Sequence, residues 1–197
     1  MASKLLTQHY EQLLGLQAPV HIEEVELDHG ATKLRIRVAC GQRALRCPEC
    51  DARCGRHDAR VRRWRHMDTM QYTTIIEAEV PRVRWPSHGV HEVAVPWAEE
   101  GSRYAALCEA VVIDWLKEAS VQAGARQLRV TWDRVAGIQS RAVQRALARR
   151  EAHQPRIISV DETSFQKRLE YVTVVNDLAS GTVLHVADDP RQEVLEA

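Results

Sequence analysis

The chain has 197 residues, 45% of them hydrophobic, which suits one or two domains with a packed core. No apolar run approaches the roughly 20 residues that cross a bilayer, and the N-terminus lacks the pattern of a secretory signal. These features argue against membrane and secreted proteins, and they predict a cytoplasmic location. The chain has five cysteines, an odd number that includes a Cys-x-x-Cys pair, and this indicates free thiols or metal ligands rather than a disulfide framework.

The formal net charge is zero, but the two signs are segregated along the chain. Residues 31–91 hold thirteen bases and six acids, which gives +7, and residues 122–156 hold eight bases and two acids, which gives +6. Acidic stretches flank and separate these two basic blocks. Such alternation is typical of modules that bind a polyanion, whereas solvated arginine-rich surface is the alternative for either block alone.

The first elements in chain order are a helix and a β-hairpin. Leucines between residues 4 and 16 predict a helix that ends near Gly15, and alternating strands at 20–27 and 32–38 follow it. After the basic run 60–66, a strand is predicted at 72–80. Residues 81–103 contain three of the seven prolines and indicate irregular structure and a linker.

A cysteine knuckle lies within the first basic block. Cys47-Pro-Glu-Cys50 has the spacing with which two thiolates bind one zinc ion from a tight turn. The stretch 85–91 repeats the shape of this knuckle with histidines and offers the second half of a tetrahedral site. The predicted zinc ligands are Cys47, Cys50 and His88, with His91 or Cys54 as the fourth. A pair of reduced thiols without metal is the alternative.

Residues 104–150 predict three helices. Apolar residues recur at helical spacing from Tyr104 to Leu116, a short helix runs from Ser120 to about Gln127, and a third helix follows Thr131 after a three-residue connection. The third helix is predicted to bury Val135, Ile138, Ala142, Val143 and Ala146. A short helix, a tight turn and an Arg/Gln-bearing helix are typical of a helix-turn-helix module.

Candidate DNA contacts lie on the exposed side of the third helix and in the basic run. In the helix-turn-helix mode, early residues of the third helix reach base edges and later arginines hold phosphates. The predicted DNA-binding residues are Trp132, Arg134, Gln139, Arg141 and Arg145 on the helix, and Arg62, Arg63 and Arg65 in the basic run. A three-helix bundle with a solvated arginine face is the alternative.

The last region predicts a three-stranded β-meander. The apolar run 156–160 leads to Asp161, and runs rich in β-branched residues follow at 171–176 and 182–187. Asp161 is therefore predicted to lie where the first strand ends, at a sheet edge that suits a carboxylate ligand of a divalent metal. Glu162 is predicted to point to the other face. An ordinary strand-terminating role for Asp161 is the alternative.

These motifs occur in an order that resembles one family. Cys-Pro-x-Cys at 47–50, Arg-Arg-Trp-Arg-His-Met-Asp at 62–68, His-Gly-Val at 88–90 and Asp-Glu-Thr-Ser-Phe-Gln-Lys at 161–167 together resemble the N-terminal portion of bacterial insertion-sequence transposases of the ISL3 family. The resemblance spans essentially the whole chain. It differs at Trp85, where the family's finger usually supplies a third cysteine.

The resemblance implies an α+β multidomain protein. Its expected parts are an N-terminal helix and β-hairpin at 1–45, a zinc-finger-like β module at 46–97, a three-helix helix-turn-helix module at 103–150, and an incomplete ribonuclease H-like catalytic domain of the DDE type at 155–197. Zinc is expected in the finger. Mg²⁺ is expected only in an intact catalytic domain, where Asp161 matches the first acid of an Asp-Asp-Glu triad.

The resemblance also implies binding to terminal inverted repeats and metal-dependent DNA cleavage and strand transfer. Because the second and third acids of the family lie further downstream, we expect this chain to be a truncated, inactive fragment. Its expected partner is double-stranded DNA, bound as a homodimer or together with a full-length transposase. A non-enzymatic DNA-binding regulator that competes with the full-length enzyme is one alternative, and a decayed reading frame is another.

Overall fold

A computed structural model describes residues 2–41, 45–46, 50–85, 89–151, 154–164 and 171–187. The chain divides into two compact units, residues 1–145 and residues 146–197. No helix among the described residues is long and apolar enough to cross a membrane. The helices are α1 (Ala2–Leu13), α2 (Ala106–Glu118), α3 (Val121–Gln127) and α4 (Trp132–Ala148).

The first unit contains a six-stranded sheet. Its strands are β1 (Val20–Asp28), β2 (Lys33–Cys40), β3 (Leu45–Arg46), β4 (Arg53–Arg65), β5 (Thr73–Trp85) and β6 (Gly89–Glu92). Their order is β1-β2-β5-β4-β3, with β6 paired to β5, and only the β2–β5 pair is parallel among the described residues. The sheet thus joins the N-terminal hairpin to the strands that surround the cysteine knuckle.

The N-terminal helix and hairpin confirm the sequence prediction. Helix α1 ends at Leu13, and Gly15 follows with a φ of +61°, a conformation that glycine adopts without steric cost. Alternation along β2 buries Leu34, Ile36 and Val38 and leaves the basic residues between them exposed. One face of the hairpin therefore enters the core and the other carries charge.

The interpretation of residues 81–103 as irregular was wrong at its start. Strand β5 continues to Trp85, and β6 covers Gly89–Glu92. The Pro81 carbonyl accepts a hydrogen bond from the Val93 amide at 3.0 Å, so the polar backbone groups of Pro81 face β6. The missing N–H faces the same side, just past the end of the β5–β6 ladder, so little pairing is lost.

One hydrophobic core joins the sheet to all four helices of the first unit. Trp64 of β4 meets Trp97 edge to face, with ring centroids 5.4 Å apart. The other large buried residues come from the helices and the central strands, including Tyr10, Ile36, Ile76, Val112, Val135 and Ile138. The helix-turn-helix region therefore rests on the sheet rather than forming a separate bundle.

The predicted buried face of α4 is confirmed only in its first half. Val135 and Ile138 are fully buried, whereas Val143 is 50% exposed and Ala146 is exposed. The physical reason is that Arg141, on the later part of the helix, points towards a buried acid instead of leaving that space to apolar residues. The apolar pattern of the helix therefore overstates the length of its packed stripe.

The second unit contains the predicted three-stranded meander. Strands β7 (Ile158–Ser164), β8 (Tyr171–Asp177) and β9 (Thr182–Ala187) form an antiparallel sheet in that order. Asp161 is paired with Val174 in the interior of β7, so its predicted place at the strand end was wrong. The ladder continues to Ser164 because backbone hydrogen bonds do not require the apolar side chains that stop at Val160.

Candidate nucleic-acid interface and metal sites

The turn between α3 and α4 has the compact form that the sequence predicts. Ser120 caps α3, its hydroxyl oxygen accepting from the Ala123 amide at 3.3 Å. The chain then reverses through Arg129, whose φ is +54°, and the Val130 amide donates to the Ala125 carbonyl at 3.0 Å. This reversal sets the start of α4 immediately after the turn.

The first turns of α4 present exposed side chains that can contact a ligand. Trp132 is 56% exposed, and Arg134 and Gln139 are also exposed. Within the described part of the chain, Arg134 forms no ion pair. On an accessible helix an indole can stack on a base, a free guanidinium can contact a phosphate or guanine, and an amide can contact adenine. The predicted base-reading residues are therefore accessible.

The later arginines of α4 are instead held by a buried acid on α2. The Glu109 side chain is only 3% exposed, and its carboxylate accepts from Arg141 at 2.5 Å, from Arg145 at 3.4 Å and from the Ser102 hydroxyl at 2.7 Å. Arg145 also pairs with Glu99 at 3.3 Å. A buried carboxylate is costly without cationic partners, so these arginines anchor α4 to α2, and a DNA phosphate would have to compete for them.

The arginines of β4 are also paired with acids. Arg62 lies 2.5 Å from Glu92, and Arg63 lies 2.6 Å from Glu77 while remaining 68% exposed. Arg65 is 16% exposed and pairs with Asp68. Of the three predicted DNA contacts on this strand, only Arg63 projects mainly into solvent.

A buried imidazole and a buried thiol lie where β4 meets α2. His66 and Cys108 line a cavity of about 280 Å³ together with Arg65, Asp68 and apolar residues of α2. Burial, and secondarily the charge of Arg65, lowers the pKa of His66 below its usual 6.5. Burial raises the pKa of the Cys108 thiol to about 11. Both groups are therefore neutral at physiological pH.

The cysteine knuckle lies in the connection between β3 and β4. Cys50 is exposed, and Arg46 closes the turn by donating to the carbonyl of Asp51 at 2.9 Å and to its carboxylate at 2.7 Å. Cys47 and His88 lie outside the described residues. Among the residues that the structure describes, no three His, Cys, Asp or Glu side chains are grouped so as to hold a metal.

Strand register nevertheless brings the two knuckle segments to one end of the sheet. Gly55 pairs with Arg84, and Trp85 pairs with Gly89, so the β3–β4 and β5–β6 connections begin at neighbouring positions on adjacent strands. Adjacent strands lie about 4.8 Å apart. Cys54 is the residue next to Gly55 on the knuckle side, whereas His91 is paired with Val83, further back along the ladder. Cysteine thiolates and histidine imidazoles are donors that suit zinc.

Asp161 is an exposed residue on β7 of the second unit. It is paired with Val174, and directly paired residues share one face of a sheet. Glu162 is paired with Thr173 and occupies the other face, as the sequence predicts. The carboxylate of Asp161 is therefore accessible, on a strand at the edge of the sheet formed by the described residues.

Comparison with known proteins identifies the family. Residues 43–88 match the zinc-finger of transposase IS204/IS1001/IS1096/IS1165, and residues 93–143 match the helix-turn-helix domain of transposase family ISL3. These matches assign the zinc-ribbon and helix-turn-helix domains of the chain to the ISL3 family of transposases. The resemblance seen in the sequence is thereby confirmed, together with the zinc-ribbon and helix-turn-helix domains that it implied.

Two curated relatives agree with this assignment. Both are described as transposase for insertion sequence element IS1557, from Mycobacterium tuberculosis strains CDC 1551 / Oshkosh and ATCC 25618 / H37Rv, and each is 31% identical over 191 residues. The matched region is 90% of this chain and 42% of each relative, so the chain spans less than half of their length. No solved structure matches the chain significantly.

Two functionally relevant groups were missed by sequence reasoning. The first is Glu109, which follows the buried Cys108 on α2. The available signal was an acid beside the apolar stripe of one helix, followed in the sequence by an arginine-rich helix. Arg129 was treated as part of a connection, and its positive φ and its contact with another turn have no signature in the sequence.

Proposed function

We propose that the first unit binds the terminal inverted repeats of an insertion sequence, with the start of α4 in the major groove of double-stranded DNA. The observation that carries this proposal is the division of α4 into an exposed start, which bears Trp132, Arg134 and Gln139, and a later part anchored by Glu109. A recognition helix must be held rigidly while its first turns remain accessible.

We further propose that zinc fastens the two knuckle segments, held by Cys47, Cys50, His88 and Cys54. Register favours Cys54 over His91 as the fourth ligand because Cys54 stands on the knuckle side of the Gly55–Arg84 pair. Such a closed tetrahedral site would be structural and would stabilise the end of the sheet.

For the whole protein we propose metal-dependent DNA cleavage and strand transfer by a ribonuclease H-like domain that begins near residue 155. Asp161 would supply the first Mg²⁺-binding carboxylate, a role supported by its exposure on β7. The preceding parts of the proposed organisation are the hairpin at 1–45, the zinc ribbon at 46–97 and the helix-turn-helix at 103–150. A location in the cytoplasm, with access to chromosomal DNA, belongs to the same proposal.

The DNA-binding proposal is tested with a duplex of about 40 base pairs, roughly four helical turns, that carries the terminal repeat flanking the coding region. Fluorescence anisotropy should show tighter binding to this duplex than to a random duplex of equal length. Arg134→Gln and Gln139→Ala should each reduce that preference by roughly 5- to 100-fold. Equal affinity of the wild-type chain for both duplexes would contradict the proposal.

Cleavage is tested on the same duplex with Mg²⁺. A polypeptide of these 197 residues carries one of the three proposed acids and should bind without nicking. If it also lowers the activity of a longer relative in the same mixture, it acts as a competitor at the DNA ends. Metal-dependent nicking by the 197-residue polypeptide would refute the proposed triad.

A further inference from the structure

The turn between β4 and β5 lies beside the turn of the helix-turn-helix. The end of β4 is hydrogen-bonded to the segment that enters α2, since the Arg65 amide donates to the Arg103 carbonyl at 2.8 Å and the Ala105 amide donates to the Arg65 carbonyl at 2.9 Å. Arg129, within the α3–α4 turn, donates from Nη1 to the Gln71 carbonyl at 3.3 Å. The β4–β5 turn is thus fixed next to the residues that lead into α4.

The tip of this turn is tightly built. Thr69 and Tyr72 exchange both backbone hydrogen bonds, at 3.1 and 3.0 Å, which leaves a two-residue tip of Met70 and Gln71. The Thr69 amide also donates to the Thr74 hydroxyl oxygen at 3.1 Å, and Thr74 is fully buried. The two-residue tip therefore projects from a base that is fixed by hydrogen bonds.

Met70 fits neither the conformation nor the surroundings of this tip. Its φ is +56°, in the left-handed region where glycine and asparagine are favoured, and its side chain is 88% exposed. An exposed thioether gains no burial, and a side chain at positive φ costs free energy in the isolated fold. Backbone strain at an exposed apolar residue points to a role outside the folded monomer.

We propose that Met70 is a second DNA contact, an apolar wedge that enters the minor groove bordering the major groove occupied by α4. This inference rests on the proposed DNA-binding function. Because Arg129 lies three residues before Trp132, the first residue of α4, a turn attached to it lies at the DNA backbone that separates the two grooves. Methionine is one of the side chains that proteins insert between base steps from the minor groove.

The charges around the tip suit this placement. Arg126 and Arg129 are exposed on the α3 side of the contact, where they can neutralise the phosphates that Met70 must pass. Met67, 40% exposed in the same turn, extends the apolar surface of the tip. The combination of arginines at the backbone and an apolar side chain beyond them is the arrangement that a kinked minor groove requires.

The test uses Met70→Asn, which removes the wedge while relieving the strain of a positive φ. Its affinity for the terminal-repeat duplex should fall on the order of tenfold, while its melting temperature should equal or exceed that of the wild type. Met70→Leu keeps the apolar bulk and should bind within about twofold of wild type. The matched control is Val61→Thr, which alters a 59% exposed apolar residue on β4, away from the tip of the turn. It should leave the affinity for the duplex unchanged.

A second readout reports the wedge directly. A 2-aminopurine placed at successive steps beside the α4 site should brighten at one step when the wild-type chain binds, and Met70→Asn should abolish that signal. Wild-type affinity in Met70→Asn, or a lower melting temperature with unchanged affinity, would overturn the wedge and leave the DNA-binding proposal intact. Failure of the wild-type chain to prefer the terminal-repeat duplex would overturn both.

Discussion

The two basic blocks of the sequence behave differently in the fold. On β4, Arg63 pairs with Glu77 across the ladder, because these two residues are direct partners in the register of β4 and β5. On α4, Arg141 pairs with Glu109, an acid from another helix that is almost completely buried. Arg63 belongs to an exposed cross-strand ion pair, whereas Arg141 and Arg145 of the later helix are held by a buried acid.

The difference shows that a count of basic residues does not measure the charge available to DNA. Most arginines of the strand block and of the later part of α4 form ion pairs with acids of the same chain. At the start of α4, by contrast, Arg134 forms no ion pair among the described residues. The interface should therefore be smaller and more sharply placed than a block of eight bases suggests. Four measurements can break or sharpen this comparison.

The largest effect is expected from removing the buried acid. Glu109→Ala leaves two guanidinium groups facing a desolvated gap and should lower the free energy of unfolding by about 3 kcal/mol in urea titrations. Glu77→Ala removes the partner of an arginine that is 68% exposed and should cost less than about 1 kcal/mol. Equal losses in the two variants would show that the helix pair is no more structural than the strand pair.

The next effect concerns DNA affinity and its dependence on salt. Arg134→Gln should weaken binding to the terminal-repeat duplex by roughly 5- to 100-fold and, because it removes a positive charge, should reduce the slope of log K against log salt by up to about 1. Arg63→Gln, on the strand, should change neither quantity appreciably. A larger loss of slope for Arg63→Gln would place the interface on the sheet rather than on α4.

A smaller effect is expected from pH at the end of β4. Because burial lowers the pKa of His66 in the folded chain, the unfolded chain binds its proton first as pH falls. The stabilising contribution of neutral His66 is complete above pH 6.5. It is lost as the pH falls from there towards the folded pKa, by about 1.4 kcal/mol for each pH unit in between. His66→Gln should flatten the acid limb of a plot of unfolding free energy against pH, and an unchanged limb would contradict this origin.

The smallest effect is kinetic. Cys108, whose pKa is raised to about 11, should react with iodoacetamide at pH 8 only when the core opens. Exposed Cys50 should react readily in metal-free protein and slowly once zinc is bound. Mass spectrometry of the alkylated peptides measures both rates. Protection of Cys50 that is insensitive to chelators would count against the zinc site.

Much of the architecture could be predicted because its patterns are local. Alternation along β2 and the β-branched runs of the meander specify strands, and the spacing of apolar residues in 104–116 specifies α2. The motifs for the zinc ribbon and the helix-turn-helix are likewise contained in short segments. Such features depend on neighbours in sequence and do not require knowledge of the tertiary fold.

The errors arose where a distant partner decides the outcome. Asp161 appeared to end its strand because the apolar run stops, but the ladder with β8 carries the strand onwards. Val143 appeared buried by periodicity, but Arg141 turns inwards to meet Glu109 on α2. The adjacency of Met70 and the α3–α4 turn also depends on a contact over 58 residues of sequence, which no local pattern reveals.

The parallel pairing of β2 with β5 limits how this finger could be transplanted. Six register pairs, from Lys33–Thr73 to Val38–Ala78, make the N-terminal hairpin the neighbour of the long strand that leads into the second knuckle. If residues 46–97 were transferred alone, β5 would lose its neighbour β2, and the buried side chain of Ile76 would become exposed to solvent or to other chains. Engineers who borrow this finger, and recombination events that shuffle it, must carry the hairpin with it.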